Sequence, residues 1–431
     1  MSSTHRQTTS ARTVTTSSVV GPGRPDHERV PPGPTGYGPS VTRSLGQLSR
    51  PTAPHLLWGA VGSGEHPPEG YLVLPGLVEP HAHLDKALTA DQVPNPSGSL
   101  QGAIEAWLGW RTTADRDHIR QRVRRAVLRY LANGTTVIRT HVDTGPDIGL
   151  RAIEAVLDVR AELGHLLDIQ VVAAASLPLA GGPGTAGRSL VRDALAAGAD
   201  LIGGAPWLDE HPADAVDVLL DIAADTGRGL DLHLDETLDP RARTLSILAA
   251  RVLAGFPQPV TASHVVSLGQ LPKAERRLVA EQVAAAGIGV VANPISNLFL
   301  QGRGSDIAPR GLTAIRELLD AGVAVAAGGD NLQDPFQPVG RADPLEAASL
   351  LVTAGHLTLQ EAITAVTSGA RRVLGLPVET VADARELVAI RASSVYEAVG
   401  LASSDRIVVH EGRVVARTTV GLQIDGSAVT W

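Results

Sequence analysis

The 431-residue chain contains no cysteine. Disulfide bonds and thiolate metal ligands are therefore excluded, so any metal ion must be held by imidazole and carboxylate groups. No uninterrupted apolar run approaches the ~18 residues of a membrane-spanning helix, which argues against a membrane protein. The formal net charge is -8 and no basic stripe is present, which argues against a nucleic-acid partner. The composition, 43% hydrophobic and 19% charged, is typical of a soluble globular protein, and we expect a cytoplasmic location.

Four segments are expected along the chain. Residues 1–45 are rich in Ser, Thr, Arg, Gly and Pro without a periodic apolar face, which predicts a disordered tail. Over residues 72–376, short apolar stretches alternate with helical ones eight times, which predicts an α/β fold, a (β/α)8 TIM-type barrel. Residues 46–71 and 377–431 flank this barrel. The predicted barrel strands are residues 72–80, 135–142, 168–175, 199–205, 229–235, 259–264, 287–293 and 323–329.

Two histidines lie two positions apart, His81 and His83, at the end of the first predicted strand. Side chains at this spacing share one face of a strand, so both imidazoles can converge on one metal ion. Parallel barrels carry their chemistry at the C-terminal ends of the strands. Three further ligand-type residues end later apolar runs, and they are His233, His264 and Asp330. The sequence therefore predicts a metal site at that end of the barrel.

This order of ligand-type residues resembles the metal-dependent amidohydrolase superfamily, and the chain is similar to its cytosine deaminase branch from about Leu72 to Val415. The local matches, in family order, are Val78–Asp85, Arg139–Asp143, Thr261–His264, Ala292–Pro294, Leu300–Arg303 and Asp334–Phe336. The resemblance implies a small β-domain formed by the segments that flank the barrel. Predicted strands at 386–390 and 406–415 suit that domain, whereas residues 46–70 lack clear β-hairpin patterning, so the N-terminal part is expected to be partial.

By resemblance, His81, His83, His233 and Asp330 correspond to the ligands of a mononuclear metal site. The residue types agree, because three neutral imidazoles and a carboxylate suit Zn²⁺ or Fe²⁺ and leave one position for water. We therefore expect one divalent metal ion per chain, Zn²⁺ or Fe²⁺. Binuclear relatives bridge two metals with a carboxylated lysine after strand four, where residues 201–206 contain no lysine. The hydantoinase and dihydroorotase types are therefore disfavoured.

Three residues are expected to be catalytic, and they are Glu236, His264 and Asp330. By resemblance, Glu236 moves protons between water and a ring nitrogen, and a buried glutamate has the raised pKa that suits this work. The resemblance also implies that His264 lies beside the water and polarises the attacked group. The alternative for Glu236 is a surface carboxylate in a βα loop, and the alternatives for His264 are a fifth metal ligand or a structural histidine. Lys86, just after the first motif, is expected to be solvated or salt-bridged.

Six residues are expected to contact the substrate, and they are Ser176, His141, Gln301, Arg303, Asn331 and Phe336. Ser176 stands where cytosine deaminases carry a glutamine, and its hydroxyl cannot make the two-pronged contact of an amide. Asn331 and Phe336 replace an acidic residue and a stacking tryptophan of those enzymes. A structural polar network is the alternative for His141, and a loop-anchoring salt bridge is the alternative for Arg303. These replacements predict the same reaction on a different substrate.

Together these features predict a hydrolase that adds metal-bound hydroxide to an sp² carbon bearing nitrogen and releases ammonia or an amine. The expected substrate is a small cyclic amidine, guanidine or aminated nitrogen heterocycle other than cytosine. One alternative is the ring opening of a cyclic amide or imide. The other is a metal-binding barrel that senses a ligand without turnover, which would need neither Glu236 nor His264. Homo-oligomer formation is left open by the sequence.

Overall fold

The computed structural model describes Pro67 and residues 69–378, 384–424 and 427–428. The main strands in chain order are β1 (Tyr71–Pro75), β2 (Leu77–Ala82), β3 (Thr135–Asp143), β4 (Asp168–Ala174), β5 (Leu201–Gly204), β6 (Leu230–Leu234), β7 (Val260–His264), β8 (Gly289–Ala292), β9 (Val325–Ala327), β10 (Leu387–Arg391), β11 (Arg406–His410) and β12 (Arg413–Thr418). Strands β2 to β9 form one parallel sheet in chain order. The predicted TIM-type barrel is thereby confirmed.

Helices alternate with the barrel strands. In chain order they are α1 (Leu100–Trp110), α2 (Arg116–Ala132), α3 (Arg151–Leu163), α4 (Thr185–Ala197), α5 (Pro212–Thr226), α6 (Thr244–Leu253), α7 (Lys273–Ala285), α8 (Pro294–Leu300), α9 (Ile315–Asp320), α10 (Pro344–Thr353), α11 (Leu359–Ala365), α12 (Ser368–Val373) and α13 (Val395–Leu401). None of these helices in the described residues is long and apolar enough to cross a membrane.

Helix α2 shows how the sequence specifies these elements. The helix begins after Asp115, whose side chain accepts a hydrogen bond from the backbone amide of His118 at 2.8 Å and so satisfies a free amide of the first turn. Ile119, Val123 and Ala126 are buried at helical spacing and belong to the core between barrel and helices. The cap and the apolar stripe together specify where the helix begins and which face it buries.

The predicted first strand, residues 72–80, is wrong as a single element. Tyr71–Pro75 pairs antiparallel with β10 in a separate four-stranded sheet of order β1-β10-β11-β12, and only Leu77–Ala82 belongs to the barrel. Residues 72–75 therefore leave the barrel segment expected at 72–376 and supply a strand of the small β-domain. Most of the segment 46–71 and all of the tail 1–45 lie outside the described residues.

A glycine makes the break between the two sheets. The backbone amide of Gly76 donates to the carbonyl of Glu386 at 2.7 Å. A Cβ at this position would lie 2.6 Å from Oγ1 of Thr136, so a larger residue would force a neighbour to move. Because both strands around the glycine are apolar and buried, hydrophobicity alone gives no sign that the chain changes sheets here.

Candidate active site

Four side chains from the first, fifth and eighth barrel strands meet at the C-terminal end of the barrel, here called the barrel mouth. His81 lies in β2, His83 follows that strand, His233 lies in β6 and Asp330 follows β9. Nε2 of His233 lies 3.2 Å from Nε2 of His81 and 3.0 Å from Nε2 of His83. Oδ1 of Asp330 lies 3.5 Å and 3.3 Å from the Nε2 atoms of His81 and His83, respectively. The structure thus brings together the four residues predicted to hold a metal, which we call the donor set.

The spacing of the donor set suits a divalent metal ion. Ligand atoms of a tetrahedral site with bonds of about 2.0–2.1 Å are roughly 3.3 Å apart. The four distances within the donor set run from 3.0 to 3.5 Å. Oδ1 of Asp330 is buried and accepts no hydrogen bond within the described part of the chain, so a ligand atom is free for a cation.

The protonation of the donor set also suits a metal ion. Burial, reinforced by the surrounding imidazoles, lowers the pKa of His233 well below its ordinary value, so this ring is neutral near pH 7. Burial alone would raise the pKa of Asp330, but the neighbouring imidazoles of His81, His83 and His264 hold it well below its ordinary value. Neutral imidazole and ionised carboxylate are the forms that bind metals.

A hydroxyl and a carboxylate below the donor set orient His81. Nδ1 of His81 lies 2.9 Å from Oγ of Ser263, and that hydroxyl donates to Oδ1 of Asp231 at 3.2 Å. Since its one hydrogen goes to Asp231, Ser263 must accept from Nδ1–H of His81, which leaves the lone pair of Nε2 for a metal ion. Arg139 donates to Oδ2 of Asp231 at 2.8 Å and fixes the carboxylate. Ser263 was not singled out from the sequence, although it directly precedes His264.

The two remaining residues expected to be catalytic lie beside the donor set. Oε1 of Glu236 lies 3.3 Å from Nδ1 of His264, and Nε2 of His264 lies 3.9 Å from Oδ2 of Asp330. Burial raises the pKa of Glu236 well above its ordinary value, and the charge of Asp330 adds to this. Burial lowers the pKa of His264 to about 3, so the ring is neutral.

An amide links these two residues. Nδ2 of Asn297, in helix α8, lies 3.2 Å from Oε1 of Glu236 and 3.0 Å from Nδ1 of His264. If Nδ2 donates to both atoms, the hydrogen of the His264 ring is on Nε2, which lies 3.9 Å from Oδ2 of Asp330 and 3.2 Å from the side-chain amide of Asn293. Ser296 of the same helix donates a hydrogen bond to Oδ2 of Asp330. Neither α8 residue was singled out from the sequence.

The backbone is strained at two of these positions. His264 and Asp330 adopt left-handed conformations, with φ of 71° and 63°. Such conformations cost about 1–3 kcal/mol for residues with a Cβ and cluster at functional sites. The segment before Asp330 is held by Glu79, whose carboxylate oxygens accept the amide hydrogen of Gly329 at 3.0 and 2.9 Å. The surrounding structure thus fixes the backbone from which a metal-binding side chain projects.

A cavity of about 240 Å³ opens at the barrel mouth above the donor set. Its walls include three of the residues predicted to contact substrate, Ser176, Asn331 and Phe336, together with Glu236 and His264. Helix α1, which sequence analysis did not predict, covers one side of the cavity. Its lining residues recur at helical spacing, and they are Leu100, Ile104, Trp107 and Leu108.

The other three residues predicted to contact substrate do not line this cavity. His141 is fully buried, its ring centroid lies 4.2 Å from that of His81, and its Nε2 lies 3.4 Å from Oδ1 of Asp231. Gln301 donates to the backbone carbonyl of Glu236 at 3.1 Å. Arg303 donates to the carbonyl of Phe299 at 2.9 Å and is exposed. In the described structure these side chains contact protein groups rather than the cavity.

The end of β5 has no room for a bridging lysine. This strand ends in two glycines, and a Cβ at Gly203 would lie 2.7 Å from Cγ1 of Val172 and 3.2 Å from Nδ1 of His141. Two further groups of possible ligands exist among the described residues, but each shares His81 or Asp330 with the donor set. The geometry is therefore that of one metal site with supporting polar groups.

A charged network lines the cavity on the side of α1. Nζ of Lys86 lies 2.7 Å from Oδ1 of Asp143, and Oδ2 of Asp143 accepts from Nε1 of Trp107 at 2.8 Å and from Arg111 at 3.2 Å. Burial opposes ionisation of Asp143, but the neighbouring cations of Lys86 and Arg111 hold its pKa well below the ordinary value. Lys86 was expected to be either solvated or salt-bridged. It forms a salt bridge with Asp143, and with only 4% of its surface exposed it is not solvated.

Comparison with known proteins identifies the family. The model of the amidohydrolase family matches residues 98–382, more than half of the chain. The chain belongs to the amidohydrolase family, whose members depend on a metal ion, and to its cytosine deaminase-like branch. It is an enzyme, a hydrolase that acts on carbon–nitrogen bonds other than peptide bonds. The interpretation as a ligand-sensing barrel without turnover is thereby wrong.

Three relatives illustrate the range of this branch. A pterin deaminase of Rhizobium rhizogenes is 32% identical over 80% of this chain and 81% of its own length. The crystal structure of 5-methylcytosine deaminase from Klebsiella pneumoniae with phosphonocytosine is 31% identical with a TM-score of 0.75, covering 83% of this chain and 89% of that one. The structure of N-isopropylammelide isopropylaminohydrolase from Burkholderia multivorans is 34% identical with a TM-score of 0.68, covering 85% and 92% of the two chains.

Proposed function

We propose that this chain is a metal-dependent deaminase, which hydrolyses a carbon–nitrogen bond at an amidine- or guanidine-like carbon of a small nitrogen heterocycle other than cytosine. The observation that carries the proposal is the position of Glu236 and His264, which line one cavity together with the donor-set members His83, His233 and Asp330. A site that only bound its ligand would have no use for a buried carboxyl group of raised pKa beside a metal site.

The donor set His81, His83, His233 and Asp330 would hold one Zn²⁺ or Fe²⁺. Three imidazoles and one carboxylate suit either ion, and no thiolate is available to favour one of them. When bound, such an ion makes a hydroxide nucleophile available near neutral pH, because it lowers the pKa of water from 15.7 to about 7.

Glu236 and His264 have different roles in the reaction. Burial raises the pKa of Glu236, which favours its carboxyl group as a carrier of protons, and this group delivers a proton to the ring nitrogen or the departing amine. His264 stays neutral and uses its Nε2–H to hold the group under attack. The amide nitrogen of Asn297 contacts both side chains and fixes their relative position.

The cavity supports a substrate other than cytosine. Ser176 offers a single hydroxyl, and the amide nitrogen of Asn331 donates to Oδ2 of Asp334 at 2.8 Å, which occupies one of its hydrogens. Phe336 and Trp107 supply apolar walls against which a flat ring can stack. The names of the relatives above refer to pterin, 5-methylcytosine and N-isopropylammelide, all of them nitrogen heterocycles. We therefore expect an aminated heterocycle of this kind.

Elemental analysis followed by an ammonia-release assay tests this function. The protein, expressed with Zn²⁺ or Fe²⁺, is presented with pterin, isocytosine, 5-methylcytosine, cytosine and 2-aminopteridine. Release of ammonia from at least one compound, with cytosine among the poor ones, is the expected result. Two cyclic compounds without an amino group, hydantoin and dihydrouracil, serve as controls. Opening of either ring without any ammonia release from the amino compounds would favour ring-opening hydrolysis instead.

A further inference from the structure

The proton-transfer roles proposed above make no use of a buried ion pair in the cavity wall. Nζ of Lys86 lies 2.7 Å from Oδ1 of Asp143, both residues line the cavity, and Lys86 is 4% exposed. Lys86 follows β2 and Asp143 ends β3, so both stand at the barrel mouth. Burying an ion pair carries a desolvation cost that packing with apolar residues would avoid. Because this pair lies beside the donor set, we expect it to bind a polar ligand in the cavity.

Further hydrogen bonds hold Asp143 in place. Both lone-pair positions of Oδ2 of Asp143 are taken, by Nε1 of Trp107 at 2.8 Å and by Arg111 at 3.2 Å. Arg111 is in turn held by Asp147 through two hydrogen bonds of 2.8 and 2.7 Å. Oδ1 of Asp143 accepts only from Lys86 among the described residues. One acceptor position of Oδ1 thus stays open.

Lys86 likewise keeps one donor. Of its three N–H groups, one goes to Asp143 and one lies 3.4 Å from Oδ2 of Asp85. The third lies near Nδ1 of His83, also at 3.4 Å. When Nε2 of His83 binds a metal ion, Nδ1 carries the ring hydrogen and cannot accept, so this third N–H is available to a ligand. The pair therefore offers one donor and one acceptor, side by side.

We propose that Lys86 and Asp143 bind a cis-lactam edge, the adjacent N–H and C=O of one ring, in the heterocycle that loses its amino group. The N and O atoms of such an edge are roughly 2.2 Å apart, from the standard C–N and C=O bond lengths, which matches partners separated by 2.7 Å. A substrate carboxylate would be repelled by Asp143 and a substrate cation by Lys86, whereas a neutral edge with one donor and one acceptor satisfies both. The inference rests on the proposed deaminase function and narrows its substrates to amino-oxo heterocycles.

A comparison of two substrates across the parent and two variants tests the assignment. Pterin has the lactam edge, and 2-aminopteridine lacks both its N–H and its C=O without added bulk. The value of kcat/KM is measured for the metal-loaded parent and for Asp143→Asn and Lys86→Met with both compounds. Each substitution is expected to lower kcat/KM for pterin by about tenfold to a hundredfold more than for 2-aminopteridine. Differences in intrinsic reactivity between the compounds cancel in this ratio of ratios.

Controls separate direct contact from structural damage. Asp147→Asn disturbs Arg111 but leaves both members of the pair, so it should affect the two compounds equally. Lys273→Met changes an exposed lysine of α7 and should leave all values unchanged. Metal content and melting temperature are checked for every variant, and if Asp143→Asn does not fold, Lys86→Met decides. Equal losses on both compounds would overturn the lactam assignment and leave the deaminase proposal standing, whereas no ammonia from either compound or from the wider panel would overturn both.

Discussion

The backbone amide of Asp330 donates a hydrogen bond to the carbonyl oxygen of His81, 2.9 Å away. This bond joins the end of the last barrel strand to the first, and the amide of His83 completes the connection by donating to the carbonyl of Asp330 at 3.1 Å. The side chains of the same three residues belong to the donor set. The barrel therefore closes at the same place where a metal ion would bind. Metal binding is thus expected to change the stability of the barrel.

Removal of the metal ion should lower the melting temperature. An ion bound by His81, His83 and Asp330 clamps the first and last strands together, and a ligand present at a hundred times its dissociation constant adds about 2.7 kcal/mol of stability. For a domain of this size, a loss of about 3–4 °C is expected after treatment with a chelator. Calorimetry of the metal-free and reconstituted protein measures it. Asp330→Ala provides the control, since its melting temperature should respond little to chelation.

Substitution of Glu236 by glutamine should separate metal binding from turnover. The amide is nearly isosteric with the carboxylate but cannot transfer protons, so kcat should fall by roughly 10² to 10⁴-fold while the metal content stays that of the parent. Asp330→Ala should lose both metal and activity. Steady-state kinetics and elemental analysis on the same preparations make the comparison. A Glu236→Gln enzyme as active as the parent would contradict the proton-transfer role and shift it to His264.

The sequence was sufficient to predict the barrel and the donor set, because both depend on local pattern. Strand ends are marked by apolar runs, and the ligand-type residues His81, His83, His233 and Asp330 each sit at one of those ends. The break at Gly76 escaped prediction, since two buried strands in different sheets have the same apolar character. What distinguishes them is which neighbours they pair with, and pairing is a property of the whole fold.

The cavity walls were predicted less completely, again for a physical reason. Ser176, Asn331 and Phe336 follow strand ends and line the cavity, but Arg303 follows a strand end too and instead anchors to Phe299. Position along the chain places a residue at the barrel mouth without fixing the direction of its side chain. Lys86 looked like a loop lysine because its partners come from segments that are distant in sequence.

Substitution of Ser263 by alanine should weaken metal binding without disturbing the fold. Its hydroxyl accepts a hydrogen bond from Nδ1–H of His81 and donates one to Asp231. Removal of such a supporting contact typically costs 10–100-fold in metal affinity. Competition titration with a chromogenic chelator gives the dissociation constant. Ser267→Ala is the matched control, because Ser267 is also buried but donates to the carbonyl of Ala242. Equal affinities for both variants would exclude a role for Ser263 in orienting His81.

Trp207 should contribute a hydrogen bond to the substrate. Its indole Nε1 is buried, has no partner within the described part of the chain, and belongs to a side chain that lines the cavity. Buried indole N–H groups usually find an acceptor, and a ring nitrogen or carbonyl of the heterocycle would provide one. Trp207→Phe keeps a flat apolar wall and removes the donor, so kcat/KM should fall by up to about tenfold. Kinetics on the best substrate of the ammonia-release panel measure the change, with Leu208→Met as a control at the neighbouring apolar position. Unchanged kinetics of Trp207→Phe would mean that the indole serves only as a wall.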